Sequence, residues 1–429
     1  MSQPTFAPLN KSSLPGPDDI TRAQLPNGIT VLVRPNFNSM SVSMAGYFHA
    51  GSLYEPGEKL GLADFTSSCL MRGTQQFSFQ EIYEKLESIG ASFGFSSGTH
   101  TAGFGGKSLV DDFDTLLEIL SSALREPTFP SQPVEIVRSQ ILTGLALRSQ
   151  DTSEMASLLF DQIVYEGHPY SNPGDGYPET IMAIKEEDLV DFHARHYGPD
   201  GMVIVVVGAV SPDLAIDRIT ETLGDWSNPR QPEVITVPLV PALEKTITKH
   251  ASIPEKSQSD LIMGVAGPSR HSPDYIPARL GNSVLGQFGM MGRIGNAVRK
   301  KAGLAYYAYS SLSSSIGPGP WYVSAGVHPK NVKKAIKLIK AEIEHFVNEP
   351  VSVEELEDSK SSYIGKLPLA LESNAGVAGA ILTLERFDLG LDYYQRYEEI
   401  ISAVTPQDAL AAAQKYLDLE RFAIATAGQ

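Results

Sequence analysis

Alternation of apolar and polar positions begins at Leu25. The Pro26-Asn27-Gly28 turn leads into Ile29-Thr-Val-Leu-Val33, and Asn-Gly is a strong hairpin signal. A second alternating run sets Val42, Met44, Gly46 and Phe48 on one face, which predicts a half-buried strand. The period then changes to that of a helix, from near Glu58 to about Arg72, with Gly73 as the stop. Ser78 and Glu81 have capping-box spacing before the apolar stripe Ile82, Leu86, Ile89, and Gly90 ends that helix. Glycine-rich strands are predicted around 91–109, and helices near 112–125, 132–149, 153–165 and 186–197. The run Met202-Val-Ile-Val-Val-Val-Gly208 is β-branched and strand-length, so it reads as a buried strand.

From about Asp225 the character changes. Trp226-Ser-Asn-Pro-Arg-Gln-Pro232 and Val237-Pro-Leu-Val-Pro241 form a Pro-rich connection too long for an ordinary loop. This divides the chain into a lead-in (1–24), a first domain (25–225), a linker (226–243) and a second domain (244–429). The second half repeats the order of the first: strands at 244–250 and 259–265, helices at 274–287 and 292–302, strands at 304–313 and 320–327, further helices and a last strand at 422–426. IMAIKEEDLVDFHARHYGPDGMVIVVVG, from Ile181, lays on ISAVTPQDALAAAQKYLDLERFAIATAG, from Ile401, and Val134-Glu135 and Val353-Glu354 open comparable long helices upstream. Duplication of one α+β unit is therefore predicted, each copy a mixed sheet backed by helices.

Composition narrows the function. A net charge of −16 over 429 residues argues against nucleic acid and anionic membrane surfaces as partners. The single cysteine, Cys69, excludes a disulfide framework or a multi-cysteine metal site. No apolar run reaches the length of a membrane helix. The N-terminal segment has no charged-then-apolar leader pattern, so a cytoplasmic location is expected, or a periplasmic one if a leader has been removed.

Few isolated residues stand out. His193 and His196 lie at i, i+3 on a helix without a third ligand in view, and read as ordinary surface-helix positions. His49 and His100 fall in strand text. Cys69 reads as a small buried apolar residue. The lysines in 330–340 alternate with Val332, Ile336 and Ile339 as a solvated helix face. The Gly286–Gly292 stretch lacks the form of a phosphate loop, so a hinge or tight packing is the better account.

Two segments carry a specific likeness. Gly61-Leu-Ala-Asp-Phe-Thr-Ser-Ser-Cys-Leu-Met-Arg-Gly-Thr74 follows His49-Ala-Gly-Ser-Leu-Tyr-Glu55, and Gly295-Asn-Ala-Val-Arg-Lys-Lys-Ala-Gly-Leu-Ala-Tyr306 lies in the second half. Both resemble the insulinase/pitrilysin zinc metallopeptidases, the first their GLAH-x-x-EH-x-x-x-x-GT helix and the second their R-x-x-x-GLAY pattern. The likeness runs through His168-Pro-Tyr170 and covers nearly the whole chain from residue 25. It implies an α+β half clamshell of two similar domains.

The departure is where the chemistry belongs. An H-x-x-E-H helix supplies two zinc ligands and a base from one face, but alignment puts Asp64, Ser67 and Ser68 at those positions. The family's third ligand, a downstream glutamate, falls at Thr143 or Gly144. A catalytic zinc takes three protein ligands, so no metal and no cofactor is expected in this chain. Arg299 and Tyr306 are kept. Taken alone they read as a solvated helix arginine beside Lys300 and Lys301 and a strand aromatic like Tyr307 and Tyr309. The resemblance implies that they reach a substrate carbonyl near a zinc held elsewhere. It thus implies the zinc-free subunit of a bacterial-type heterodimeric peptidase, with an H-x-x-E-H-bearing partner that holds the zinc and with peptides as substrates. The alternative is a catalytically silent scaffold or peptide-binding protein, of the processing-peptidase or respiratory core protein type.

Overall fold

The structure, a computed structural model, describes residues 13–290 and 292–429. Its first half is built on β1 (Thr21–Gln24), β2 (Thr30–Pro35), β3 (Ser41–Phe48), β4 (Ser92–Ser97), β5 (Ala102–Leu109) and β6 (Val203–Gly208), with α1 (Leu62–Cys69), α2 (Phe79–Ser88), α3 (Phe113–Arg125), α4 (Ser131–Arg148), α5 (Thr152–Val164), α6 (Pro178–Ala183), α7 (Glu186–His196) and α8 (Pro212–Leu223). The second half has β7 (Ile247–Ser252), β8 (Ser259–Ala266), β9 (Ala305–Leu312), β10 (Pro320–Val327) and β11 (Ala423–Gly428). Its helices are α9 (Tyr275–Gly286), α10 (Gly292–Ile294), which continues as a π-helical turn over Gly295–Lys301, α11 (Val332–Asn348), α12 (Val353–Ala370), α13 (Asn374–Arg386), α14 (Tyr397–Ser402) and α15 (Pro406–Tyr416).

The two sheets have one topology. The strand order is β1-β2-β6-β3-β5-β4 in the first and β7-β11-β8-β10-β9 in the second. With β1 set aside, the orders superimpose element by element. The single parallel pair, β2 with β6, matches β7 with β11, and the remaining pairs are antiparallel. A duplicated α+β unit explains this correspondence.

Both sheets are covered on both faces. Val31, Val33, Val42, Met44, Ile204 and Val206 pack under the first half's own helices. The alternate residues Leu32, Val203, Val205 and Val207 instead join a core with Val377, Ile381 and Leu384 of α13, a helix of the second half. The exchange is reciprocal: α5 lays Ala156, Phe160 and Ile163 on Ala423, Ala425 and Ala427 of β11. A row of alanines lets the helix approach the sheet closely. Burial on two sides is also why β6 is a continuous apolar run.

Polar contacts join the halves as well. The Asn374 side chain donates to the Ser41 carbonyl at 3.1 Å, and Thr152 bonds Asp260. No regular element occurs in 224–246, yet that segment is fastened. The backbone N–H of Ile235 donates to the Tyr54 hydroxyl at 3.3 Å, and the Asn228 side chain donates to the Tyr197 carbonyl at 2.9 Å.

Part of the lead-in departs from expectation. Residues 1–12 lie outside the described residues, but Thr21–Gln24 forms the edge strand β1, paired antiparallel with β2 across the Asn27-Gly28 turn. Leu14 and Ile20 are buried in the second core, and Arg22 meets Glu385 of α13 at 2.7 Å. Thr-Arg-Ala-Gln carries no apolar alternation because it lies at the exposed sheet edge. Among the described residues no single helix is long and apolar enough to cross a membrane.

Candidate functional site

The degenerate motif lies on α1, which packs against β4, α4 and α7. Gly61, at φ +92°, precedes the helix and has no side chain to cap it. Glu55 does that work from outside, accepting from the backbone N–H groups of Gly61 at 3.1 Å and Ala63 at 2.6 Å. Burial pushes its carboxyl up to about 7 against those two hydrogen bonds, and the charge of Asp64 adds to the rise. This explains why the AGS-x-x-E text stands beside the helix, a role that sequence spacing alone left unassigned.

The three motif positions differ in their surroundings. Asp64 is half-buried, and its carboxyl is raised by burial and then by the charge of Asp175. Ser67 is 3% exposed, and its hydroxyl has no partner among the described residues. Ser68 faces solvent. On α4, the exposed Thr143 hydroxyl donates to the Ser139 carbonyl at 2.7 Å, and Gly144 has open space where a side chain would stand. Arg138 of α4 closes over the Phe65 ring at 5.1 Å and bonds the Ile181 carbonyl. One carboxylate with serine and threonine hydroxyls does not fit a zinc ion, which binds imidazole, thiolate and carboxylate. Among the described residues no cluster of three or more His, Cys, Asp or Glu has metal-binding geometry.

Arg299 and Tyr306 lie in the second half. Arg299 is half-buried on the π-helical turn, which Gly303 closes at φ +63°. Tyr306 is 82% exposed on β9, one of the two edge strands of its sheet. Its neighbours on the strand are engaged: Tyr307 bonds Asp260, and Ser310 bonds Asn282. Among the described residues neither the Arg299 guanidinium nor the Tyr306 hydroxyl has a hydrogen-bonding or ionic partner. The two stand on successive elements joined through the Gly303 turn, while the α1 set packs within the other half.

Comparison with known proteins decides the family. Residues 30–173 match the insulinase (peptidase family M16) family, and residues 183–363 match the peptidase M16 inactive domain. This chain is an M16 family member. An uncharacterized zinc protease of Mycobacterium leprae is 24% identical over 420 residues, spanning 95% of this chain and 92% of that protein. One of Streptomyces coelicolor is 22% identical over 406 residues, spanning 93% and 87%. Among solved structures, a peptidase M16 inactive domain from Pseudomonas fluorescens superimposes with a TM-score of 0.88 at 26% identity, covering 95% of this chain and 97% of its own. A protease from Helicobacter pylori gives 0.89 at 19% identity, covering 97% and 100%.

The remaining candidates are structural in this M16 chain. His193 is half-buried and not simply solvated: its Nε2 meets the Leu124 carbonyl at 2.8 Å, and burial pushes its pKa down to about 4. His196 packs on Tyr54 and Phe192. His100, in the turn between β4 and β5 and not within a strand, pairs with the Tyr170 hydroxyl at 2.7 Å. Cys69 is fully buried, and burial pushes its thiol up to about 12, where it stays protonated and unreactive. Gly286 and Gly292 sit where a side chain would meet Ser310 and the Val284 carbonyl, so close packing accounts for both.

Proposed function

We propose that this chain is the zinc-free subunit of a heterodimeric M16 peptidase, supplying half of a peptide-degrading chamber and two groups that bind the substrate carbonyl. The supporting observation is that two strong donors lack internal partners, Arg299 on the π-helical turn and Tyr306 on the edge strand that follows it. Guanidinium and phenol suit the oxygen that gains charge as an amide is attacked. The partner bears the H-x-x-E-H helix with its zinc and general base. Edge strand β9, like its counterpart β4, offers unpaired backbone groups to an extended peptide, a mode that reads main chain and tolerates varied side chains. A cytoplasmic setting belongs to the same reading, since the lone buried thiol needs no oxidising compartment.

The test is to purify the chain, measure its zinc, and assay a quenched peptide alone and with an H-x-x-E-H-bearing partner. Cleavage only in the mixture is expected. Stoichiometric zinc together with activity in the chain alone would overturn the proposal. Full activity of a mixture lacking both Arg299 and Tyr306 side chains would leave a scaffold role instead.

A further inference from the structure

Where the start of α9 meets the ends of α12 and α13, the second half holds a pocket of about 400 Å³. That is within the range of small-molecule sites, roughly 300–1,000 Å³. Its charges have one sign. Arg270, Arg279 and Lys366 line it and no carboxylate does, in a chain whose net charge is −16. Three acids within two residues of the lining in sequence are engaged elsewhere: Asp274 with Lys415 at 2.6 Å, Asp392 with Arg396 at 2.7 Å and Glu385 with Arg22 at 2.7 Å. Asp388, beside Phe387, is not among the lining residues.

The guanidinium groups are held by aromatic faces instead. Arg270 lies 4.2 Å from the ring centre of Tyr275 and 5.6 Å from that of Phe387, and Arg279 lies 4.3 Å from that of Tyr363. Stacking holds a guanidinium by its face and leaves its N–H edge available. Arg270 uses one N–H on the Tyr393 hydroxyl, at 3.4 Å. The buried hydroxyls of Tyr394 and Tyr397 are pushed up to about 12 by burial, so they stay neutral and add no negative charge. Both cations are partly withdrawn from water and have no ionic partner among the described residues. Burial works against the charge on Arg279, but the tyrosines around it outweigh that and raise its pKa, so it stays charged and can offer an anion charge-assisted hydrogen bonds.

We propose that this pocket binds a small organic oxyanion, with its carboxylate or phosphate head on the N–H edges of Arg270 and Arg279 and its flat apolar body against the tyrosine rings. Neither Arg299 nor Tyr306 lines it, so this inference stands apart from the peptidase reading.

Titration calorimetry of the full chain with phenyl phosphate, benzoate and inorganic phosphate tests it. Saturable one-site binding of phenyl phosphate or benzoate is expected, and the tighter of the two names the head group. Inorganic phosphate should bind about tenfold more weakly or worse; equal affinity would overturn the aromatic half of the proposal. Arg270→Gln and Arg279→Gln should each weaken binding about tenfold, as loss of a charge-assisted hydrogen bond does. Because Arg279 also packs the helices, wild-type protein supplies a second readout: the bound anion should slow phenylglyoxal modification of both arginines, followed by mass spectrometry. No saturable binding of either ring-bearing anion at millimolar concentration overturns the proposal. So does binding that persists in both variants without protection of the arginines.

Discussion

The α1 face and the β9 edge descend from the same duplicated unit, yet they treat their polar groups in opposite ways. Around α1 most polar groups are drawn inward, Ser68 excepted: Glu55 is committed to the helix terminus, Ser67 is buried, and Arg138 of α4 closes over Phe65. Around β9 two are left without partners, Tyr306 exposed on the strand and Arg299 half-buried on the π-helical turn before it. Two strong donors without internal partners are the groups that the proposed carbonyl contact would use. The contrast separates a face largely folded into the packing from one whose donors stay free for the proposed contact.

The largest test rebuilds the lost face. Asp64→His, Ser67→Glu and Ser68→His together should take up no stoichiometric zinc. Adding Thr143→Glu or Gly144→Glu should bring it to about one ion per chain by metal analysis, since three protein ligands are then present. Zinc in the triple variant alone would show that the missing carboxylate on α4 is not what bars the metal.

Next, Arg299→Ala with Tyr306→Phe should lower peptide cleavage by the mixed assembly about 100-fold, the scale for lost oxyanion donors. The melting temperature should not change, because neither side chain has an internal partner. A drop in melting temperature would mean that the pair is structural.

Glu55 gives a pH signature. Its carboxyl ordinarily titrates at 4.5 and is raised to about 7 in the fold. Its contribution to stability is therefore fully present below pH 4.5 and is lost as pH rises through 7. Between pH 4.5 and 8, urea unfolding should show wild type losing on the order of 2 kcal/mol relative to Glu55→Gln. Parallel curves would sink this account. Smallest of all, Ser67→Ala should stabilise the chain by up to about 1 kcal/mol, because it removes a buried hydroxyl without a partner.

Local pattern made much of this legible. The strand predicted at 320–327 is β10, and the Asn27-Gly28 turn and the capping box at Ser78–Glu81 form as read. The predicted 58–72 helix is shorter, because Gly61 starts it and a 3-10 turn over Leu70–Arg72 ends it. The exchange of α5 and α13 left no trace in periodicity, which shows that a helix has an apolar face but not which sheet it covers. At the site, Arg299 and Tyr306 were legible as a motif, but their lack of partners is a tertiary fact. The Arg270/Arg279 pocket was hidden for the same reason: its walls come from positions as far apart as 270 and 397.

The exchanged helices carry a consequence for how the chain can be cut. Each half lends the other the lid of its sheet, so neither half is a finished body when excised. A protease nick in the Pro-rich stretch around 232–241 should therefore leave two fragments clasped as one particle. The peptide bond between them is the least of the ties that hold the halves together.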